Sequence, residues 1–387
     1  MKKPQTAAGS RLNYLDIARG IGIILVILGH IEYIGSALKL FIVAFHMPFF
    51  FVTSGILIWL RSEAELPLKE LVLKKLRRIM LPYIYFSVLD IIIYIVYYLL
   101  TGRDGGWNAV LLDVLQTVTL YGFSVMWFLP ALFIAEMLFL LILKRFSRWA
   151  PLLVPAVTAV ALALNAGLTA LNASFGSSMV FQLFHMVAIA LIRGMICMLF
   201  VAAGYAFTRF LRLNPVLSLT GPEPDMKKPE KTKILRAVPV LIRTFVGLDL
   251  LAATFFISLI NGPVDLHFCV FGKIPLYFLG ALSGSLGLVI LCRSLEGVSR
   301  KKILFPLIYY GKNSLIVMAT HMDFYILYVS EVAAFHFIKY VNHAKSYVFN
   351  TMIVIFVLIA EVFMIELINR FFPFLLGSPV KKRRKKN

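Results

Sequence analysis

An arginine and a histidine bracket a run of Gly, Ile, Leu and Val in ARGIGIILVILGH, residues Ala18 to His30. Arg19 and His30 are eleven positions apart, close to three turns of an α-helix, so both project from nearly one face, about 16 Å apart along the axis. Ionisable groups in so apolar a stretch are expensive at membrane depth and by default face a bundle interior or a water-filled cavity. The guanidinium is a planar fork of donors suited to anionic oxygens, and a neutral imidazole is a base near pH 7. Two such groups at two depths describe the wall of a route across a bilayer. Asp16, three residues before Arg19, is spaced to pair with it. The plainer readings are a snorkelling anchor for Arg19 and an interhelical hydrogen bond for His30. Glycines at 20, 22 and 29 permit close approach of a second helix or of a ligand.

Other polar groups interrupt apolar sequence further on. AFHMPFFFVTSG places His46 just before Pro48, with Thr53, Ser54 and Gly55 deeper in the run. Proline there implies a kink or a helix start, and the short connection between the first two apolar runs brings His46 towards His30. Glu136 in WFLPALFIAEMLFL and Arg193 in HMVAIALIRGMICMLF each need a partner, and pairing with one another would satisfy both. His321 closes YGKNSLIVMATH, a run introduced by Lys312 and Asn313. The histidines lack metal-ligand spacing, no Ser sits in a G-x-S-x-G turn, and Cys197, Cys269 and Cys292 read as buried small hydrophobes, so no metal is expected.

The elements that must carry these groups are membrane helices. Of 387 residues, 60% are hydrophobic and only 15% charged, with a mean hydropathy of +0.87. Apolar runs approaching or exceeding the roughly 20 residues needed to cross a bilayer recur throughout. The expected fold is all-α and polytopic, with about ten spans: roughly 14–34, 40–60, 82–100, 126–143, 150–168, 184–208, 238–260, 272–292, 304–324 and 350–369. Residues 177–185 read as an interfacial piece ahead of the sixth. Basic residues fall almost wholly on one side of this arrangement, in the stretch RSEAELPLKELVLKKLRR, the turns KRFSR and RSLEGVSRKK, the linker at about 209–237 and the tail KKRRKKN. That bias puts both termini in the cytoplasm and accounts for most of the net charge of +20, which makes a nucleic-acid partner unnecessary. The first apolar run reads as a retained helix, and the linker, rich in Pro, Lys and Glu, as loosely packed.

Four stretches resemble the acyltransferase-3 family of integral membrane acyltransferases. NYLDIARGIGIILVILGH is similar to its opening, with the Arg-x10-His signature on Arg19 and His30. FHMPFFFVTSG, MWFLPALFIAE and YGKNSLIVMATH resemble its F-x-M-P-x-F-F-x-x-S-G, W-F-L-x-x-L-F and G-x-x-S-L-x-x-x-x-x-H elements. The nearest branch in pattern is that of fucose 4-O-acetylase-like and exopolysaccharide acetyltransferases. The resemblance implies a membrane domain over residues 1–376 with a basic cytoplasmic tail at 377–387, in a bacterial plasma membrane among its lipids. It implies transfer of an acyl group, commonly acetyl, from cytoplasmic acetyl-CoA to a carbohydrate hydroxyl, with succinyl-CoA as another donor. Arg19, supported by Asp16, would bind the donor, and His30 would be general base or transient acyl acceptor. Lys74, Lys75, Arg77 and Arg78 would attract the nucleotide phosphates, though they fit the topological bias equally well. His46, His321, Glu136 and Arg193 would serve the acceptor. A secondary transporter or flippase of a sugar or lipid-linked substrate is the competing reading, for which paired inverted repeats would speak; none is evident.

Overall fold

The computed structural model describes residues 13–32, 34–102, 105–212, 214, 216–219, 231–298, 302–339 and 346–377. Among them there is no β-strand, only an isolated bridge between Asp265 and Val270, and nine stretches are long and apolar enough to cross a membrane. The protein is an all-α polytopic membrane protein, divided into two compact units.

The first unit comprises Met1–Glu65, Phe139–Pro155 and Cys197–Ser314. Its centre is α1 (Asn13–His30), which packs against α2 (Ser36–Leu60), α10 (Ile274–Val298) and α11 (Phe305–Lys312). Helix α9 (Lys231–Asn261) lies along α10 and also touches α2. Lipid offers apolar side chains no reason to leave it, so close backbone approach has to hold such helices together. Glycine supplies it. A Cβ on Gly20 would fall on the Leu307 carbonyl, and one on Gly311 would fall on the Asp16 carbonyl and 2.9 Å from the Gly20 nitrogen. The α1–α11 contact is therefore backbone against backbone on both sides of Arg19.

The second unit comprises Leu66–Leu138, Ala156–Ile196 and Leu315–Asn387. It begins with α3 (Leu68–Lys75), a π turn over Leu76–Met80, and α4 (Leu81–Thr101). α4 packs on α5 (Gly106–Val118), and α13 (Ile326–Lys339) on α14 (Ser346–Phe371). Three long helices carry residues of both units: α6 (Phe128–Arg145), α7 (Ala150–Phe175) and α8 (Met179–Leu211).

Several expectations change. The third span does not start at 82: α3, the π turn and α4 form one run from Leu68 to Thr101, 34 residues long. The stretch carrying Lys74, Lys75, Arg77 and Arg78 is thus helix, not loop. Residues from Met179 onward are not a separate interfacial piece but the first turns of α8. Pro48 neither starts nor interrupts α2, which runs through it at a buried position. The ninth span, 304–324, is broken into α11 and α12 (Ser314–Thr320). Asn313 makes the break: its Nδ2 donates to the Tyr309 carbonyl at 2.9 Å, and its own N–H is shared between the carbonyls of Tyr309 and Tyr310 at 3.3 and 3.1 Å. A side-chain amide that competes for backbone acceptors tightens a helix turn and ends it.

The linker is also less loose than its composition suggests. α8 runs on to Leu211, and the tract before the undescribed residues 220–230 is pinned at two points. Tyr14 donates its hydroxyl to the Leu219 carbonyl at 3.2 Å, and Arg243 Nε donates to the Val216 carbonyl at 2.5 Å. The Lys2, Lys3, Arg11 and tail charges lie outside the described residues.

Replacing Gly20 or Gly311 by Val should displace α11 from α1 and cost about 1–3 kcal/mol, read as a lower melting temperature in detergent. Gly167→Ala is the control, because nothing stands within 4 Å of a Cβ there. Equal melting temperatures for all three variants would contradict the backbone contact.

Candidate functional site

The helical histidines are held in one way. His30 Nδ1 lies 2.8 Å from the Val26 carbonyl, and His46 Nδ1 lies 2.9 Å from the Ile42 carbonyl. His321 Nδ1 is 2.8 Å from the Val317 carbonyl and 3.0 Å from that of Met318. A carbonyl oxygen only accepts, so in each neutral ring the proton sits on Nδ1 and the basic lone pair on Nε2. His336, exposed on α13, makes the same bond to the Val332 carbonyl at 2.9 Å. The bond is thus a local one, made to a carbonyl one turn back and not peculiar to the buried histidines. What distinguishes His30 and His46 is where their Nε2 atoms are placed.

His30 ends α1 and His46 lies about two-fifths of the way along α2, and the two helices are packed together. Gly29 has no side chain to separate them: a methyl group built there would stand 4.0 Å from His46 Nε2. His46 lies within electrostatic reach of His30, and His30 within reach of Lys39 of α2 and Asp265. Asp265 sits in the α9–α10 connection, which has fixed geometry. Asp265 and Val270 exchange backbone hydrogen bonds of 2.8 Å each. Asn261 donates through Nδ2 to the Phe271 carbonyl at 3.1 Å and accepts from the Lys273 N–H at 2.9 Å. Lys39 and Asp265 were not legible as site residues, since neither lies in a motif: Lys39 falls just before the expected second span and Asp265 in the α9–α10 connection.

Arg19 is half-buried on the same helix as His30, in the segment clamped by Gly20 and Gly311. The helix end below it is anchored by aromatic and cationic groups. Tyr14 is fully buried, with the Arg293 guanidinium 5.1 Å from its ring centre. Arg293 in turn donates to Glu296 Oε2 at 2.9 Å. This fixes the start of α1, and hence the direction of Arg19, from α10 and from the linker at once.

The second unit holds the other anticipated residues. Glu136 Oε2 is 2.8 Å from Lys75 Nζ, and both side chains are buried, at 5% and 8% exposure. Lys75 is therefore engaged within the protein, while Arg77 and Arg78 on the π turn are exposed and Lys74 is half-buried. Arg193 is completely buried. It donates through Nη1 to the Tyr121 carbonyl at 2.9 Å and lies over the rings of Tyr121 and Trp127, 5.2 and 5.1 Å from their centres. His321 is also fully buried, beside Thr320, whose hydroxyl is 2.9 Å from both carboxylate oxygens of Glu361. Asp323, in the turn after α12, hydrogen-bonds Asp90 and Ser124. Two carboxyl groups hydrogen-bond only when one holds a proton, and burial pushes the carboxyls of Asp323 and Asp113 up. Asp90, Asp323 and Glu361 gave no signal in the sequence beyond being acidic residues near or within apolar runs.

Among the described residues no group of three or more His, Cys, Asp or Glu is arranged to hold a metal ion. The family model for an acyltransferase domain, acyltransferase-3, matches residues 12–379. The chain belongs to the acyltransferase-3 family. It is a membrane acyltransferase, and its two motif residues, Arg19 and His30, are those that α1 carries at the two ends of its apolar run. No curated protein and no solved structure matches the chain.

Because Lys75 and Glu136 are both buried, removing one partner leaves the other charge buried without this ion pair. Glu136→Gln or Lys75→Met should each destabilise the acyltransferase by about 3–5 kcal/mol, whereas the double replacement Lys75→Met with Glu136→Leu should recover most of that loss. Thermal unfolding of the three variants in one detergent checks it. A double variant no better than the singles would mean the pair is not isolated.

Proposed function

We propose that this acyltransferase moves acetyl from cytoplasmic acetyl-CoA to a hydroxyl of an exported or cell-surface carbohydrate, with His30 at the reacting centre. The observation that carries the reading is the bond from His30 Nδ1 to the Val26 carbonyl. It makes Nε2 the basic nitrogen of a ring fixed in direction, at the end of the helix that also holds Arg19. A positioned base contributes roughly 10²–10⁴-fold to a transfer of this kind.

In the direct path, Nε2 takes the proton of the acceptor hydroxyl as its oxygen attacks the thioester carbonyl carbon. The C–S bond breaks, the acyl group passes to oxygen, and the imidazolium returns the proton to the CoA sulfur. In the covalent path, Nε2 attacks the thioester carbon and the C–S bond breaks, releasing CoA as thiolate. The acceptor hydroxyl then attacks the acyl-imidazolium, the N–C bond breaks, and the hydroxyl proton goes to the CoA sulfur. Arg19 suits the donor's anionic oxygens through its planar fork, and Asp16 lies one turn away on the same helix. Lys74, Arg77 and Arg78 would supply attraction to the nucleotide phosphates, a role for which the pairing of Lys75 with Glu136 leaves Lys75 less suited. His46, placed beside α1 at Gly29, is the better supported of the acceptor-side residues. His321, Glu136 and Arg193 are committed to contacts within their own unit, and their part in acceptor binding is the weaker element of the reading. The bacterial plasma membrane is the compartment that fits the charge bias, and the exopolysaccharide or fucose 4-O-acetylase-like branch is the one the motifs favour.

Release of CoA from acetyl-CoA by purified protein, across a panel of glycan acceptors, tests this. Wild type should show acceptor-dependent release, reduced at least about 100-fold in His30→Ala. Arg19→Ala should raise the acetyl-CoA concentration needed for half-maximal rate, and Arg19→Lys should not restore it, since an ammonium lacks the fork. Succinyl-CoA as the better substrate would change the donor and leave the site intact. Equal release by wild type and folded His30→Ala would remove His30 from the chemistry.

A further inference from the structure

The first unit contains a second feature, away from the histidines. A cavity of ≈ 540 Å³ lies between the ends of α6, α7 and α8, within the roughly 300–1,000 Å³ of small-ligand sites. Its walls are apolar and its shape follows from small residues. Pro151 and Pro155 on α7 lie four apart and so share a face, as do Ala202 and Ala206 on α8. Two shallow faces opposite one another leave a trough where longer side chains would have closed a helix contact.

The polar residues of the lining are Ser147, Tyr205, Arg209 and Arg212, so its charged groups are both positive, with Glu65 within electrostatic reach of Tyr205. Arg209 and Arg212, both exposed, line the cavity where α8 finishes. Arg212 also lies over Trp59 at 5.9 Å from the ring centre, and tryptophan marks the level of lipid headgroups. The neighbouring α6–α7 turn adds Lys144, Arg145 and Arg148, of which Lys144 is tied to the Ala64 carbonyl at 2.7 Å. An apolar trough ending in two guanidinium groups at headgroup level complements one acyl chain joined to one phosphate.

We propose that this trough binds an anionic glycerophospholipid from the leaflet on the basic side, with an acyl chain between α7 and α8 and its phosphate at Arg209 and Arg212. A long-chain acyl-CoA fits less well. The lining offers two cations for a ligand with several phosphate charges, and among the described residues none from α1 reaches the cavity, so a thioester held there would not meet Arg19 or His30. The inference stands whether or not the acetyl and carbohydrate assignments hold.

The test places the full-length protein in nanodiscs of phosphatidylethanolamine with graded phosphatidylglycerol, followed by native mass spectrometry of the lipids retained after release. Wild type should keep one phosphatidylglycerol in preference to phosphatidylethanolamine. Arg209→Gln and Arg212→Gln should weaken that retention by about fivefold for each arginine removed. Ala206→Trp, which fills the trough and spares both arginines, should abolish it. Equal retention of both lipids by wild type, or unchanged phosphatidylglycerol in the double arginine variant, would overturn the proposal. So would displacement of the lipid by palmitoyl-CoA at lower concentration than by phosphatidylglycerol, which would make the site one for an acyl thioester.

Discussion

A polar side chain inside a membrane bundle must find its partners in the protein, because lipid supplies none. For a histidine on a helix the nearest acceptor is the carbonyl one turn back, and His30, His46 and His321 all use it. That bond orients the ring, fixes the proton on Nδ1 and leaves Nε2 as the base. Any chemistry at His30 depends on this local constraint, since the other tautomer would offer an N–H at Nε2 where a base is needed. Lys39, Asp265 and His46 then set the field in which that base works.

The buried charges divide by what they contact. Lys75 and Glu136 form an ion pair, and Arg193 donates to a carbonyl and lies over two aromatic rings. These are costly to bury and costlier to break singly, so they fix how α3, α6 and α8 meet within their unit. Glu361 receives a hydroxyl from Thr320, which ties α12 to α14. Arg19 belongs to a different setting: half-buried, on a helix gripped by backbone contacts at Gly20 and Gly311. Rigid placement of a residue that remains partly accessible is the arrangement a ligand-binding cation needs, because orientation fixed beforehand is not lost on binding.

Composition and motif spacing by themselves determined the class of the protein: a helical membrane chain with Arg19 and His30 on one face of its first span. They are local properties, set by hydropathy over some twenty residues and by the 3.6-residue turn. The pairing of charges was not legible. Sign alone did not point to the ion pair of Lys75 with Glu136, which forms because the basic stretch before the third span is helix and continues into α4. Only the packing of α3 against α6 could reveal that, since ion pairs across helices depend on register and rotation that hydropathy leaves undefined. The break at Asn313 likewise needed the amide's own hydrogen bond to the Tyr309 carbonyl, which the sequence around it does not specify. The nearness of His46 to His30 followed from a short connection in the sequence, but the packing of α1 against α2 that brings the His46 ring to Gly29 is a fact of tertiary structure. Sequence dictates which groups sit at membrane depth; close packing of helices decides which of them meet.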